Sequence, residues 1–403
     1  MSELKLAERI KRIKPSPSTA AADRARQLRE EGRDIVNLTV GEPDFDTPES
    51  IKQAACAAIM AGETKYTAVP GTVPLRKAIA ARMKQRTGVD YGLDQITVSN
   101  GGKQVIFNTL MATVGKGDDV LIPAPFWVSY PDMVLACGGN PVIIPCVEED
   151  GFKLTAAALE AAITPNTRWL ILNSPSNPTG AVYTAEDLKT VTDVLMRHPQ
   201  VWLLTDDIYD EIVFTDATIA SPVSVEPGLI DRTFLINGVS KTYAMTGWRI
   251  GYGVGPAPLV KAINTLQSQM ASCASSVSQA AAVAALSGDQ KEVGEWLKVY
   301  RKRCALAVEL LNQAPGLSCR NSDGAFYVYP NCAGVIGKKT PDGKVIENDG
   351  DFVLYLLESQ GVAVIAGAAY GLSPYFRISV ATSEAVIRDG CERIIKACGA
   401  LSQ

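Results

Sequence analysis

Seven short apolar runs alternate with amphipathic stretches between residues 96 and 255, and this alternation restricts the fold more than any other feature of the chain. The runs are ITVSN (96–100), DVLIPA (119–124), PVIIPC (141–146), RWLILN (168–173), VWLLTD (201–206), TFLING (233–238) and IGYGVG (250–255). Parallel strands covered by helices on both faces read as continuous apolar runs, and strand–helix alternation is the pattern of βαβ units. The sequence therefore predicts an α/β fold whose seven-stranded sheet is mostly parallel and flanked by helices. Near residue 290 the pattern changes. EVGEWLKVYRKRCALAVELLNQA reads as one long amphipathic helix, AFYVYP, GVAVIAG and FRISVAT as strands, and SEAVIRDGCERIIKACGAL as a closing helix capped by Ser383. These make a smaller α+β unit. KKTPDGKVIENDGD (338–351) reads as a polar surface loop, and the first 45 or so residues carry no βαβ signal.

Charge and composition narrow the function. The 39 basic residues are outnumbered by 43 acidic ones, a net charge of −4, so no basic excess awaits nucleic-acid phosphates or an anionic membrane. A small-molecule partner is expected. The single histidine, His198, falls at a probable helix end and reads as a surface residue; a multi-histidine metal site is impossible, and no metal is expected. Acid–base chemistry must rest on Lys, Tyr, Asp or Glu. Nine cysteines without a C-x-x-C pair read as reduced thiols. The opening MSELKLAERIKRIK has no apolar signal core, and no apolar run reaches the roughly 18 residues of a membrane helix. A cytoplasmic location is expected.

Several segments carry candidate chemistry. Lys103 in NGGKQ opens a helix directly after a strand, either an anion site or an ordinary glycine-rich turn. GYGVG lacks the third glycine of a dinucleotide fingerprint and runs into PAPLV. LLTDDIYDE and NSPSNPTG each follow a strand at its carboxyl end, where open α/β sheets bind ligands, although a solvated acidic loop and a stiff turn are the plainer readings. NGVSKTYAMTGWRIGYGVG differs in kind. It places Lys241 just past a strand, hydroxyls at Ser240 and Thr242 beside it, and Arg249 eight residues on, next to bulky residues able to desolvate an amine. That suits a phosphorylated aldehyde: lysine forms the imine and arginine neutralises the phosphate.

SKTYAMTGWRIGY, taken with GEPDFDTPE, KYTAVPG, NGGKQ, PFWVSYP, NSPSNPTG, TDDIY and FRISVATS in that chain context, resembles the class I aminotransferases, pyridoxal-phosphate enzymes of fold type I. The likeness runs from about residue 10 to the end and is nearest to the bacterial Iβ aspartate aminotransferases, some of which use prephenate. It implies a homodimer with shared active sites and pyridoxal 5′-phosphate as cofactor. In that reading Lys241 is the imine-forming lysine and proton shuttle, Asp206 pairs with the ring nitrogen, and Tyr209 and Asn177 bond the ring phenolate. Trp127 stacks on the ring. Arg249, the backbone of Gly101 and Gly102 and the Ser240 hydroxyl hold the phosphate, which Tyr66 reaches from the other subunit. Arg377 clamps the substrate α-carboxylate beside Gly41, while Lys103 and Lys14 face the side-chain carboxylate of an acidic donor. Where the subgroup usually has K-P-S-A-T, this chain reads Lys14, Pro15, Ser16, Pro17, Ser18, which leaves the acceptor open. The resemblance implies an N-terminal arm (1–13), a small domain (14–46 with 301–403) that closes over substrate, and a large domain (47–300). The expected reaction moves the amino group of aspartate or glutamate to a 2-oxo acid by a ping-pong scheme; prephenate, glyoxylate or an aromatic oxo acid as acceptor, or a β-eliminating C–S lyase, are the alternatives.

Overall fold

The computed structural model describes residues 4–15, 17–215 and 220–403, with the side chain of Ser18 excepted. Twelve strands are found among them: β1 (Val36–Asn37), β2 (Ile96–Ser99), β3 (Asp119–Ala124), β4 (Asn140–Pro145), β5 (Thr167–Asn173), β6 (Trp202–Asp206), β7 (Thr233–Gly238), β8 (Gly251–Val254), β9 (Tyr327–Val328), β10 (Val362–Ala363), β11 (Ile365–Ala366) and β12 (Phe376–Ser379). Seven of them form one sheet in the order β2-β8-β7-β6-β5-β3-β4. All its pairings are parallel except those of β8 with β2 and β7, so the expected mostly parallel sheet is present. Each residue of the central β7 is buried, as a strand covered on both faces requires. Pro141 and Pro145 lie in β4, the edge strand, where a missing N–H breaks no ladder.

The glycines of β8 have a steric purpose. A Cβ on Gly251 would sit 2.1 Å from the Gly102 nitrogen, and one on Gly253 would sit 2.3 Å from the Phe234 ring. Their bare backbone lets the Gly102–Thr113 helix lie close over the sheet, with its N-terminus at the sheet's carboxyl edge.

The C-terminal part is built as expected in outline, with two differences. The long helix spans Lys291–Leu311, and Ser383 accepts from the Val386 N–H to cap the closing Glu384–Gly399 helix. GVAVIAG, however, divides: β10 pairs with β1, while β11 joins β12 and β9 in a three-stranded antiparallel sheet. Residues 338–351 are more than a polar loop. Ile346 is fully packed in the core, Lys339 and Val345 form a bridge, and Asn348 caps the Asp349–Gln360 helix. Lysines, glycines and aspartates outnumber the two aliphatic residues there, Val345 and Ile346, which masked the burial of Ile346. The N-terminal region holds a helix, Pro17–Glu30, that its sequence did not announce. Among the described residues, no helix is long and apolar enough to cross a membrane.

Candidate active site

The carboxyl ends of β5, β6 and β7 open into a cavity of about 600 Å³, the place where open α/β sheets bind ligands. Lys241 lies in the turn after β7 and is half-buried; its ammonium donates to the Gly41 carbonyl at 2.5 Å. Burial, helped by the positive charges of Arg377 and Arg249, lowers its pKa to about 8, while Glu42 and Asp206 oppose the shift. Relative to an ordinary lysine, the free amine is enriched roughly three hundredfold near neutrality.

Asp206, the last residue of β6, faces the same cavity. The Tyr130 hydroxyl donates to Oδ2 at 2.6 Å and the Ile208 N–H reaches Oδ1 at 3.4 Å. Asn173 fixes the backbone by donating from Nδ2 to the Asp206 carbonyl at 2.7 Å. Burial pushes the carboxyl up to about 6, even though Tyr130, Ile208 and Lys241 pull the other way. A raised carboxyl pKa means that the folded chain takes up a proton between about pH 4 and 6 that the unfolded chain does not, so this group lowers stability as pH rises through that window. Asp206→Asn is accordingly expected to stabilise the cofactor-free protein by about 3 kcal/mol above pH 7 and hardly at all below pH 4. Thermal unfolding across pH checks this; a pH-independent difference would refute it.

An anion cradle lies beside Lys241. Gly101, at φ +95°, caps the Gly102–Thr113 helix, whose free N–H groups and dipole favour a negative charge. Arg249, itself at φ +54°, donates to the carbonyls of Thr246 (2.7 Å) and Asn100 (3.1 Å). A Cβ on Gly101 would lie 2.3 Å from Arg249 Nη2, so only glycine lets the guanidinium and the helix end converge. Ser240 lines the cavity next to them.

The walls supply recognition groups. Lys103 Nζ lies 4.7 Å above the Trp127 ring, and burial, then Arg249, lowers its pKa. Arg377 on β12 is buried, with Nη1 donating to Asn177 Oδ1 at 3.1 Å and Nη2 to the Thr39 carbonyl at 2.5 Å. Its guanidinium covers the Tyr327 ring at 4.5 Å, and its buried Nε has no partner among the described residues. A buried guanidinium lining a cavity is suited to a carboxylate. The Tyr209 and Tyr327 hydroxyls are 2.8 Å apart, and burial followed by Tyr327 raises the Tyr209 phenol.

The cavity thus brings together Gly41, Gly102, Lys103, Trp127, Asn177, Asp206, Tyr209, Ser240, Lys241, Arg249 and Arg377, with Gly101 at its rim. Lys14 is not brought in: it is exposed, and its backbone N–H donates to Asp132 Oδ1 at 3.0 Å. Tyr66 does not line the cavity and is 90% exposed. The Ser18 side chain lies outside the described residues, and Thr19 and Ala22 of the same helix line the cavity instead. Tyr130, Asn173 and Tyr327 escaped the sequence reading. Tyr130 and Asn173 stood in plain view inside PFWVSYP and NSPSNPTG, whereas nothing local distinguishes Tyr327 from a core strand residue. His198 closes the Ala185–Arg197 helix and pairs with Glu160 at 2.7 Å.

Residues 33–394 match the family model described as aminotransferase class I and II. Over 98% of its length the chain is 56% identical to a probable aspartate/prephenate aminotransferase of Rhizobium leguminosarum bv. phaseoli, covering 99% of that protein. It is 52% identical to the aspartate/prephenate aminotransferase of Cereibacter sphaeroides, over 98% of this chain and 99% of that one. The crystal structure of the aspartate aminotransferase from Rhizobium meliloti superposes with a TM-score of 0.97 at 52% identity, covering 99% of this chain and 100% of the other. The Thermus thermophilus aspartate aminotransferase with maleate superposes with a TM-score of 0.90 at 36% identity, covering 98% and 100%. With a half-buried amine of lowered pKa, a buried acid and an anion cradle on this fold, the chain belongs to the class I and II aminotransferases and is a transaminase.

Proposed function

We propose that the protein moves the amino group of L-aspartate, or L-glutamate, to a 2-oxo acid such as 2-oxoglutarate or oxaloacetate, with pyridoxal 5′-phosphate as cofactor. The observation that carries this reading is the meeting, in one cavity, of the Lys241 amine and the buried Arg377 guanidinium. The residues fit the cofactor: Asp206 is a buried carboxylate whose hydrogen-bond partners are neutral, Trp127 offers a flat face, and Gly101 leaves room only for an anion cradle. When bound, pyridoxal phosphate supplies an aldehyde carbon for imine formation and a ring that accepts electrons. Arg249, the Gly101–Gly102 turn and Ser240 hold its phosphate, Asp206 keeps a proton on its ring nitrogen, and Asn177 and Tyr209 donate to its phenolate oxygen.

The chain's own groups then divide the work. Arg377 orients the substrate by its α-carboxylate, a group that amino donor and oxo-acid acceptor share. Lys241, as a free amine, would take the proton from the substrate Cα and deliver it to the former aldehyde carbon of the cofactor, acting as base and then acid. Lys103 meets a second carboxylate, which favours acidic donors. The Thermus thermophilus relative with maleate, a dicarboxylate, supports that preference. Relatives named for prephenate, the two described above among them, make it the chief alternative acceptor; none of these names favours a C–S lyase.

The reading extends to a homodimer in the cytoplasm, in which Tyr66 serves the phosphate of the second copy's site. Its 90% exposure, with Met60 six positions earlier at 87%, supports a covering partner surface.

Adding L-aspartate alone to the cofactor-loaded protein is expected to abolish the visible absorption of the bound cofactor, and the true oxo acid to restore it fastest. A loaded protein indifferent to both aspartate and glutamate would redirect the assignment to aromatic donors or elimination. Pyruvate and ammonia released from a cysteine conjugate without an oxo acid would establish the lyase, and failure to bind pyridoxal phosphate would overturn the reading.

A further inference from the structure

Behind the cavity, the acidic segment 206–211 is held by an ion network that none of the roles above uses. Its side chains alternate in direction. Asp206 and Tyr209 face the cavity, whereas Asp207 and Asp210 turn away toward the Val73–Thr87 helix. There the Arg86 guanidinium, with its side chain 12% exposed, donates from Nη1 to Asp210 Oδ2 and places Nη2 at 3.4 Å from Asp207 Oδ2. Asn237 on β7 donates from Nδ2 to Asp210 Oδ2 at 2.7 Å, and the Thr205 hydroxyl reaches Asp207 Oδ2 at 3.2 Å. Arg82 and Glu211 form a more exposed pair alongside. The helix that carries Arg86 is firmly bounded, with Thr72 accepting from the Leu75 N–H at its start and Gly88 at φ +75° ending it.

We propose that Arg86 is a positioning residue: by neutralising Asp207 and Asp210 from behind, it fixes the turn that aims Asp206 and Tyr209 at the cofactor. The proposal rests on the pyridoxal-phosphate reading and deepens it. Three carboxylates within five residues are buried here, and Arg86 is the guanidinium that reaches two of them. Even with it in place, burial lifts the Asp207 carboxyl to about 7, with Asp210 and Asp206 raising it further against Arg86. Tyr91 and Tyr252 also face this network without a positive charge, and Arg82, the other guanidinium near Asp210, is engaged by Glu211. Without Arg86, two like charges are left in a low-dielectric pocket, and the turn between them must move or take up protons. The shift passes to Asp206 and Tyr209 through a single backbone turn closed by the Asp210 N–H to Asp207 carbonyl bond at 3.0 Å.

The test compares Arg86→Met, Arg86→Lys and the double variant Arg86→Met/Asp210→Asn with the wild type. For Arg86→Met, kcat with L-aspartate is expected to fall about 10- to 100-fold, the scale of a sub-ångström misplacement, while KM changes less than about threefold because Arg377 stands on another element. The affinity of the cofactor-free protein for pyridoxal phosphate, followed by fluorescence, is expected to weaken about tenfold. Arg86→Lys should fall between, and the double variant should recover much of both losses, since it removes a charge along with its partner. Arg86→Met with kcat and cofactor affinity within about threefold of wild type would overturn the proposal. So would a double variant no better than the single one, which would mark a general packing defect. If the wild type binds the cofactor but ignores aspartate, the donor assignment fails and Arg86 is judged on cofactor affinity alone.

Discussion

Lys241→Ala is expected to abolish transamination, with kcat falling by about 10⁴-fold or more, because the role proposed for it joins general base and covalent attachment point. No other amine stands in for it. Lys103, the second lysine lining the cavity among the described residues, lies over Trp127. The effect should be confined to chemistry. Arg249, Asp206 and the helix end at Gly102 remain, so the variant should still bind pyridoxal phosphate. Burying a lysine whose pKa falls to about 8 costs stability below that pH, so the cofactor-free variant should unfold at the same or higher temperature near neutrality. Single-turnover mixing with L-aspartate, read by oxo-acid release, checks the prediction. Turnover within tenfold of the wild type would remove Lys241 from its role.

Lys241 and Asp206 were readable from sequence for a physical reason. Each directly terminates or follows a strand of a parallel sheet, and the carboxyl edge of such a sheet is where a ligand must sit, so local pattern fixed their placement. The central strands were legible likewise, because two-sided burial leaves an unbroken apolar run. What the sequence hid is whatever depends on partners far along the chain. Arg377 bonds the Thr39 carbonyl across 338 positions, and the ring it covers, Tyr327, lies on a strand that reads only as core. The split of GVAVIAG between two sheets is set by pairing with β1, more than 300 residues earlier, and no local periodicity encodes such a register. Lys14 shows the converse. A motif match proposed it for the pocket, but the contact it makes is a backbone bond to Asp132.

Arg377→Lys, which keeps the charge, should nevertheless lower kcat/KM for L-aspartate roughly 10²- to 10³-fold, about 3–4 kcal/mol, within the range measured for truncating one member of a buried charged pair. The geometry gives the reason. Arg377 uses Nη1 and Nη2 to hold Asn177 and Thr39, and the same planar fork is the group proposed to meet the substrate carboxylate. An ammonium has three donors but no planar fork, so it cannot meet two fixed acceptors and a carboxylate in one plane. Lysine there must either abandon the Thr39 carbonyl, leaving a buried acceptor unpaired, or bind the substrate with a single bond. Because donor and acceptor share the α-carboxylate, both half-reactions should lose a similar factor, measured separately with L-aspartate and with the oxo acid. A defect in one half-reaction only would assign Arg377 to a side-chain carboxylate instead, and would give the α-carboxylate to Lys103.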